Sequence, residues 1–120
     1  MKLAAGIYNS AMSDWKDEIQ TELKMAEDAR GVNNEGRARV CARRAAGIAA
    51  REYLSRIGKK VRTPSAFDVL TLIAGDQGLP ESIREKAKIL VQPVDEDFKL
   101  PKHVDLIQEA KDICAELSRI

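Results

Sequence analysis

Histidine and cysteine are scarce in this sequence, and their scarcity limits the chemistry open to it. The 120 residues include one histidine, His103, and two cysteines, Cys41 and Cys114. Zinc sites need several His or Cys ligands at characteristic spacing, and the two cysteines form no CxxC pair. The chain also contains no Gly-x-Ser-x-Gly, Gly-Lys-Ser/Thr or Glu-x-x-His segment. We therefore expect no metal site, no cofactor and no catalytic residue.

Aromatic residues and long apolar runs are scarce as well. Aromatics make up 4% of the chain, so its core must be built from Ala, Leu, Ile and Val. No apolar run approaches the length that spans a membrane, and the apolar start after Lys2 is too short for a signal-peptide core. Cys41 and Cys114 each lie on the apolar side of a helical pattern, which favours buried, reduced thiols over a disulfide. These features predict a soluble cytoplasmic protein without membrane contact.

Apolar residues recur at steps of three and four, which predicts helices. No segment alternates with period two between turn signals, so no strand is predicted. Short connections between the helices predict an all-α, antiparallel up-and-down bundle of about five helices in one domain, residues 13–120, with residues 1–12 as an N-terminal arm or helix extension. The first predicted helix runs from about Ser13 to Arg30, with Ser13 or Asp14 as its cap, and the second runs from Asn34 to Gly58. The third starts at Thr63-Pro64-Ser65, the fourth runs from Pro80 to about Val91, and the fifth begins at Pro101.

Two helices have distinctive compositions. The second carries small residues on nearly every side, which predicts a central position with close neighbours. Gly47 in its interior costs about 1 kcal/mol relative to Ala, so we expect a packing reason for it. The third helix is almost wholly apolar over residues 66–74, which predicts that it is largely buried.

Basic residues are concentrated in one segment. Residues 37–62 contain nine bases and one acid, a net charge of +8, whereas residues 1–36 carry −3 and residues 63–120 carry −4. The total of +1 thus hides a basic helix between two acidic flanks. Either this helix pairs with those flanks inside the bundle or it faces an anionic partner. The candidate partner- or phosphate-binding residues are Arg37, Arg44, Arg51, Lys59, Lys60 and Arg62.

Arg37, Arg44 and Arg51 are seven residues apart and so form one stripe along a helix. The stripe could follow phosphates, or it could pair with acids of neighbouring helices or lie solvated. We favour pairing, and we expect Arg44 and Arg51 each to have a carboxylate partner. Of Arg43 and Arg44, at least one is expected to be partly buried against an acid of the first helix. The candidate acids are Asp14, Asp17, Glu18 and Glu22.

The last helix carries an acidic stripe at steps of four, three and four. Carboxylates at this spacing can hold a divalent cation, but such a pattern more commonly marks a helix face that is exposed to water. We favour the solvated face. The stripe consists of Asp105, Glu109, Asp112 and Glu116.

Several segments resemble the HEPN family of all-helical bundles. They are Trp15-Lys-Asp-Glu-Ile, Asn33-Asn-Glu-Gly36, Cys41-Ala-Arg-Arg-Ala-Ala-Gly-Ile-Ala-Ala50, Pro64-Ser-Ala-Phe-Asp-Val-Leu70, Leu79-Pro80-Glu81 and Lys99-Leu-Pro-Lys-His-Val-Asp105. The resemblance covers roughly residues 13–118. The resemblance implies a bundle that commonly dimerises. Some members of the family are RNases, and others are non-catalytic and accompany nucleotidyltransferases.

RNase members of that family use an Arg followed four to six residues later by His. In this chain no Arg lies at that spacing before His103, and Lys99 stands four residues before it. Lys99 and His103 are therefore weak candidates only, because Lys lacks the planar guanidinium group that binds phosphate through two hydrogen bonds. The sequence favours a non-catalytic interaction module that forms a homodimer and binds a protein or nucleotide-handling partner. A nucleic-acid-binding protein or degenerate RNase is the alternative, and a metal-dependent hydrolase ranks last.

We predict no metal-independent RNase activity, because the Arg of the family motif is missing. The purified protein is incubated with structured and unstructured RNA in the presence of a chelator, beside a His103→Ala variant. Both proteins should leave the RNA intact. Cleavage by the parent that disappears in the variant would contradict the prediction.

Overall fold

A computed structural model describes residues 2–92 and 105–120 of the chain, with side chains from Asp14 onward. Over these residues the chain is all-α, without strands, which confirms the predicted fold class of about five helices. Candidate residues Lys99 and His103, the expected loop 94–100 and the Pro101 helix start lie outside the described residues. The helices are α1 (Lys2–Gly31), α2 (Glu35–Arg56), α3 (Ala66–Ala74), α4 (Glu81–Val91) and α5 (Leu106–Ser118).

The first helix begins before Ser13, so residues 2–12 follow the helix extension, one of the two alternatives given for residues 1–12. Its 30 residues begin at Lys2, so Ser13 and Asp14 lie inside the helix and the prediction that one of them caps it was wrong. Several residues before Ser13, including three alanines, favour helix, and no Pro interrupts them. Residues 2–12 therefore continue the helix, which ends at Gly31.

The predicted starts of the next two helices match the structure to within a few residues. Asn34 caps α2 by accepting a hydrogen bond from the amide of Arg37 at 3.1 Å, and Ser65 caps α3 by accepting from Asp68 at 3.2 Å. Each short polar side chain satisfies an amide that the helix leaves unpaired. The chain leaves α2 through Gly58, whose φ of 82° suits glycine.

Helices α1 and α2 form an antiparallel hairpin. Arg30 near the end of α1 pairs with Glu35 at the start of α2, and Glu22 further back along α1 pairs with Arg44 further along α2. Helix α2 also packs against α3 and α5 and is therefore the central element of the bundle. The central position that its small residues predicted is confirmed.

Close packing around α2 depends on alanine and glycine. Ala42, Ala45 and Ala46 are completely buried, and so is Ala38 near the start of the helix. A Cβ atom added at Gly47 would lie only 2.7 Å from the Cβ of Ala66, at the start of α3. The predicted packing reason for Gly47 is thus confirmed: it lets α3 begin directly against α2.

Helix α3 is less buried than its composition predicted. Val69, Leu70 and Ile73 are completely buried, but Phe67 is 53% and Leu72 52% exposed. A short helix at the edge of a bundle has one covered face, and apolar content alone does not show how wide that face is. The expectation of a largely buried helix was therefore wrong for the outer face.

One ion cluster joins three helix ends. Arg30 donates to Glu35 at 2.9 Å and to Asp105 at 2.8 Å, while Asp105 caps α5 by accepting from the amides of Ile107 and Gln108. The hydrogen bonds to Glu35 and Asp105 raise the pKa of Arg30. Burial by itself raises the pKa of Asp105, but the bonds from Arg30 and the two amides outweigh burial and lower it. The stability that Asp105 provides is therefore present above the ordinary Asp pKa and is lost as the pH falls through the lowered value.

Replacing Gly47 by Ala should destabilise the protein even though Ala is the better helix former. The gain in helix propensity is about 1 kcal/mol, whereas overpacking against Ala66 costs about 1–3 kcal/mol. We expect a lower free energy of unfolding in urea, followed by circular dichroism. Gly36→Ala is the matched control in the same helix, because its Cβ would meet only Asn34 Oδ1 at 3.9 Å. A Gly47→Ala protein at least as stable as the parent would contradict this account.

Candidate interaction surfaces

The basic residues of α2 bind mainly backbone carbonyls. Arg43 is half-buried and donates from Nε to the carbonyl of Leu90 at 2.5 Å and from Nη2 to that of Gln92 at 3.1 Å. Both carbonyls lie at the end of α4, where helix carbonyls lack partners and the helix dipole is negative. Burial, and after it the charge of Arg39, lowers the pKa of Arg43. Arg43 therefore acts as a cap that fixes the end of α4 to α2.

Arg56 has the same role at the end of α5. Its two terminal nitrogens donate to the carbonyls of Leu117 at 2.9 Å and Ile120 at 3.0 Å. Arg51 donates to the carbonyl of Thr63 at 3.0 Å, just before α3. Three arginines of the central helix thus hold the backbone of the elements around it.

These contacts correct the predicted carboxylate partners. Arg44 does pair with an acid, Glu22, at 3.3 Å, and Glu22 was one of the four expected acids. Arg51 binds a carbonyl instead of a carboxylate, so its predicted partner was wrong. Of the neighbours Arg43 and Arg44, Arg43 is the partly buried one, and it binds two carbonyls instead of an acid. Charge counting missed these acceptors because a backbone carbonyl carries no formal charge.

The other predicted site residues remain on the surface. Arg37 is exposed, and in the described ranges no acid pairs with its side chain. Arg44 is also exposed, although it is paired. Arg37 and Arg44 share one outer face of α2 with the 48%-exposed Val40, so the surface is mixed basic and apolar. The predicted stripe of Arg37, Arg44 and Arg51 is therefore not a continuous free surface, because Arg51 binds the backbone just before α3.

Lys59, Lys60 and Arg62 lie just after α2 and are exposed. The two lysines line an open groove of about 570 Å³ beside α3, which we call the α3 groove. The rest of its lining is half aliphatic and includes one acid, Asp76. The residues that line the α3 groove are Leu54, Lys59, Lys60, Val61, Leu72, Gly75, Asp76 and Gln77.

A larger open groove of about 850 Å³ runs between α1 and α5, and we call it the α1–α5 groove. Its wall includes Trp15, Ile19 and Leu23 from α1, and Cys114 and Ala115 from α5. Ile19, Leu23 and Cys114 are buried at its floor, whereas Trp15 is half-buried and Ala115 exposed. Trp15, Ile19 and Leu23 are four residues apart and so share one face of α1, but no sequence signal shows that α5 leaves the outer side of this face open.

The charged residues at the edge of the α1–α5 groove are of both signs. Lys16 lies 5.3 Å from the centre of the Trp15 ring, a cation–π distance. Lys111 of α5 binds Glu27 of α1, which links the two sides of the groove. The edge also includes Asp17 and Lys24.

Both cysteines are free and buried, as predicted. Burial raises the pKa of Cys114 to about 12, and its thiol lies 3.6 Å from the carbonyl of Ala45. Burial, followed by the charge of Glu22, raises the pKa of Cys41. Since thiolates are the reactive form, neither cysteine is suited to nucleophilic or redox chemistry in the folded protein.

Three of the four acids in the α5 stripe have partners within the protein. Asp105 caps the helix and binds Arg30, Asp112 accepts from Gln108, and Glu116 lies 3.2 Å from Lys86 Nζ. Within residues 2–92 and 105–120, no group of three or more His, Cys, Asp or Glu side chains could hold a metal ion. In the same residues no helix has both the length and the apolar character needed to cross a membrane.

Comparison of the chain with protein-family models, curated proteins and solved structures gave no match.

Replacing Arg43 by Ala should lower stability, because it leaves two carbonyls at the end of α4 without their donor. The expected loss is about 1–3 kcal/mol in the free energy of unfolding. Arg43→Lys should give an intermediate value, since Lys cannot place two nitrogens on both carbonyls. Arg37→Ala is the control on the same helix and should stay within about 0.5 kcal/mol of the parent. Equal effects of Arg43→Ala and Arg37→Ala would show that the cap contributes nothing.

Proposed function

We propose that this protein is a non-catalytic helical interaction module, HEPN-like in its sequence pattern, that forms a homodimer through the α1–α5 groove. The observation that carries the proposal is this open apolar groove, with the half-buried Trp15 on its wall. Tryptophan is one of the residues that are enriched at the energetic hot spots of protein interfaces. A groove between two helices also fits the apolar face of a third helix.

The charges at the groove edge favour a second copy as the occupant. They include three lysines and two acids, Asp17 and Glu27. In a two-fold contact the same surface meets itself, so a surface with both signs can complement its own copy. A partner of one charge sign would meet like charges on part of the same edge.

The length of α1 also supports association along this helix. Helix α1 has 30 residues and α2 has 22, about 45 Å and 33 Å at 1.5 Å per residue. Because the two meet at the turn of residues 32–34, the backbone of α1 continues about 12 Å past the last residue of α2. A helix that extends beyond its neighbour within one chain is available to pack against a second chain.

Nucleic-acid binding ranks second as a function. Arg43, Arg51 and Arg56 donate to carbonyls, and Arg44 pairs with Glu22, so most arginines of α2 already have partners in the fold. A duplex-binding helix normally keeps its basic side chains free for phosphates. The exposed Lys59, Lys60 and Arg62, with Arg37, are the charges on which this alternative rests.

As a companion module, the protein would act in the cytoplasm and bind a protein partner such as a nucleotidyltransferase. The HEPN-like pattern is the source of that expectation. The two buried, free thiols agree with a reducing compartment. The absence of reactive thiols agrees with a binding role.

Light scattering at micromolar concentration should give twice the chain mass of 13.3 kDa. Ala115→Glu should shift the protein to monomer, because it places a charge in the α1–α5 groove at an exposed position and removes no core contact. Thr21→Glu is the control, since Thr21 is exposed on α1 but does not line the groove.

Circular dichroism of both variants shows whether each keeps the parent fold. A parent protein that stays monomeric would contradict the dimer. If Ala115→Glu and Thr21→Glu lower the mass measured by light scattering equally, the dimer contact is not in the α1–α5 groove.

A further inference from the structure

The α3 groove combines an aliphatic floor with unpaired positive charge. Leu54 is buried at the floor, Val61 is half-buried and Leu72 is 52% exposed. Lys59 and Lys60 are exposed at its edge, and among the described residues neither lysine pairs with an acid. The groove is therefore amphipathic and mainly basic.

The backbone fixes the position of the two lysines. The amide of Lys59 donates to the carbonyl of Leu54 at 2.8 Å, which closes the turn after α2 around Gly58. On the opposite side, Leu72 is held by a helix whose inner face is completely buried at Val69 and Ile73. Both sides of the groove thus belong to the packed part of the fold, so the site exists before a partner binds.

Exposed aliphatic surface extends beyond the groove. Ile57, at the end of α2, is 47% exposed and lies two residues before Lys59. Ile57 and Leu72 are thus both large apolar side chains that are about half exposed to water. Burial of such side chains stabilises a complex by about 25 cal/mol for each Å² removed from water.

We propose that the α3 groove binds an acidic amphipathic helix of a protein partner. Its apolar face would cover Leu72 and Val61, and its carboxylates would meet Lys59 and Lys60. Single-stranded nucleic acid fits less well, because no aromatic side chain lines the groove to stack a base. The inference rests on the protein being an interaction module, but it does not depend on the dimer or on the α1–α5 groove.

The test uses fluorescence anisotropy with a labelled synthetic helix of about 20 residues, a length at which isolated helices form. This probe carries Leu on one face and Glu on the other. A second probe has Lys in place of each Glu, and a third is a single-stranded oligonucleotide of similar length. We expect saturable binding of the acidic probe alone.

The variants separate the groove from general charge effects. Lys59→Glu combined with Lys60→Glu, and separately Leu72→Asp, should weaken binding of the acidic probe at least about tenfold, which is ~1.4 kcal/mol. The matched control, Arg37→Glu combined with Lys88→Glu, makes the same change in net charge away from the groove and should stay within about threefold of the parent. The Ala115→Glu variant, which changes the α1–α5 groove, should bind the acidic probe like the parent. Failure of the α3 groove proposal and failure of the dimer proposal are therefore distinguishable.

Three results would overturn the proposal. The first is no saturable binding of the acidic probe, or equal losses in the groove variants and their control. The second is binding of the oligonucleotide that depends on Lys59 and Lys60. The third is a fall in the parent mass caused by the Lys59 and Lys60 changes, which would make the groove a contact between copies.

Discussion

The structure depends on the way the central helix binds the ends of its neighbours. Arg43 and Arg56 of α2 each donate two hydrogen bonds to carbonyls at the end of another helix. Hydrogen bonds from a charged donor are stronger than neutral ones, and the negative end of each helix dipole lies at the same place. Three of the nine bases in residues 37–62 are therefore matched by partial charges of the backbone, and most of the others are exposed to solvent. This explains how a segment of net charge +8 can be central in a bundle whose described core contains no buried polar residue.

The functional surfaces follow from the same arrangement. Because alanines and Gly47 let neighbours approach α2 closely, the larger side chains of α1 and α3 are left with outer sides that α2 does not cover. Trp15 then lines the α1–α5 groove, and Leu72 lines the α3 groove. The first groove has both charge signs and the second is mainly basic, so the two suit different partners. The two proposals together would make one small helical domain a link between a copy of itself and another protein.

The fold class was predictable because local signals agreed with the global arrangement. Asn34 and Ser65 precede helices as short polar caps, and Gly47 marks a close approach. The start of α1 was left open between an arm and a helix extension, because no local signal in residues 1–12 separates the two. The roles of Arg43 and Arg51 were missed for a different reason: their acceptors are carbonyls distant in the sequence, and only the packed structure brings them together. The exposed faces of Phe67 and Leu72 likewise depend on which neighbours α3 meets, a property of topology and not of composition.

Trp15 is the only tryptophan in the chain, and it lies on the wall of a groove instead of in the core. Indole emission depends on the polarity of its surroundings, so the tryptophan fluorescence of this protein reports on the α1–α5 groove. The same property makes the unlabelled protein its own optical sensor for whatever molecule enters that groove.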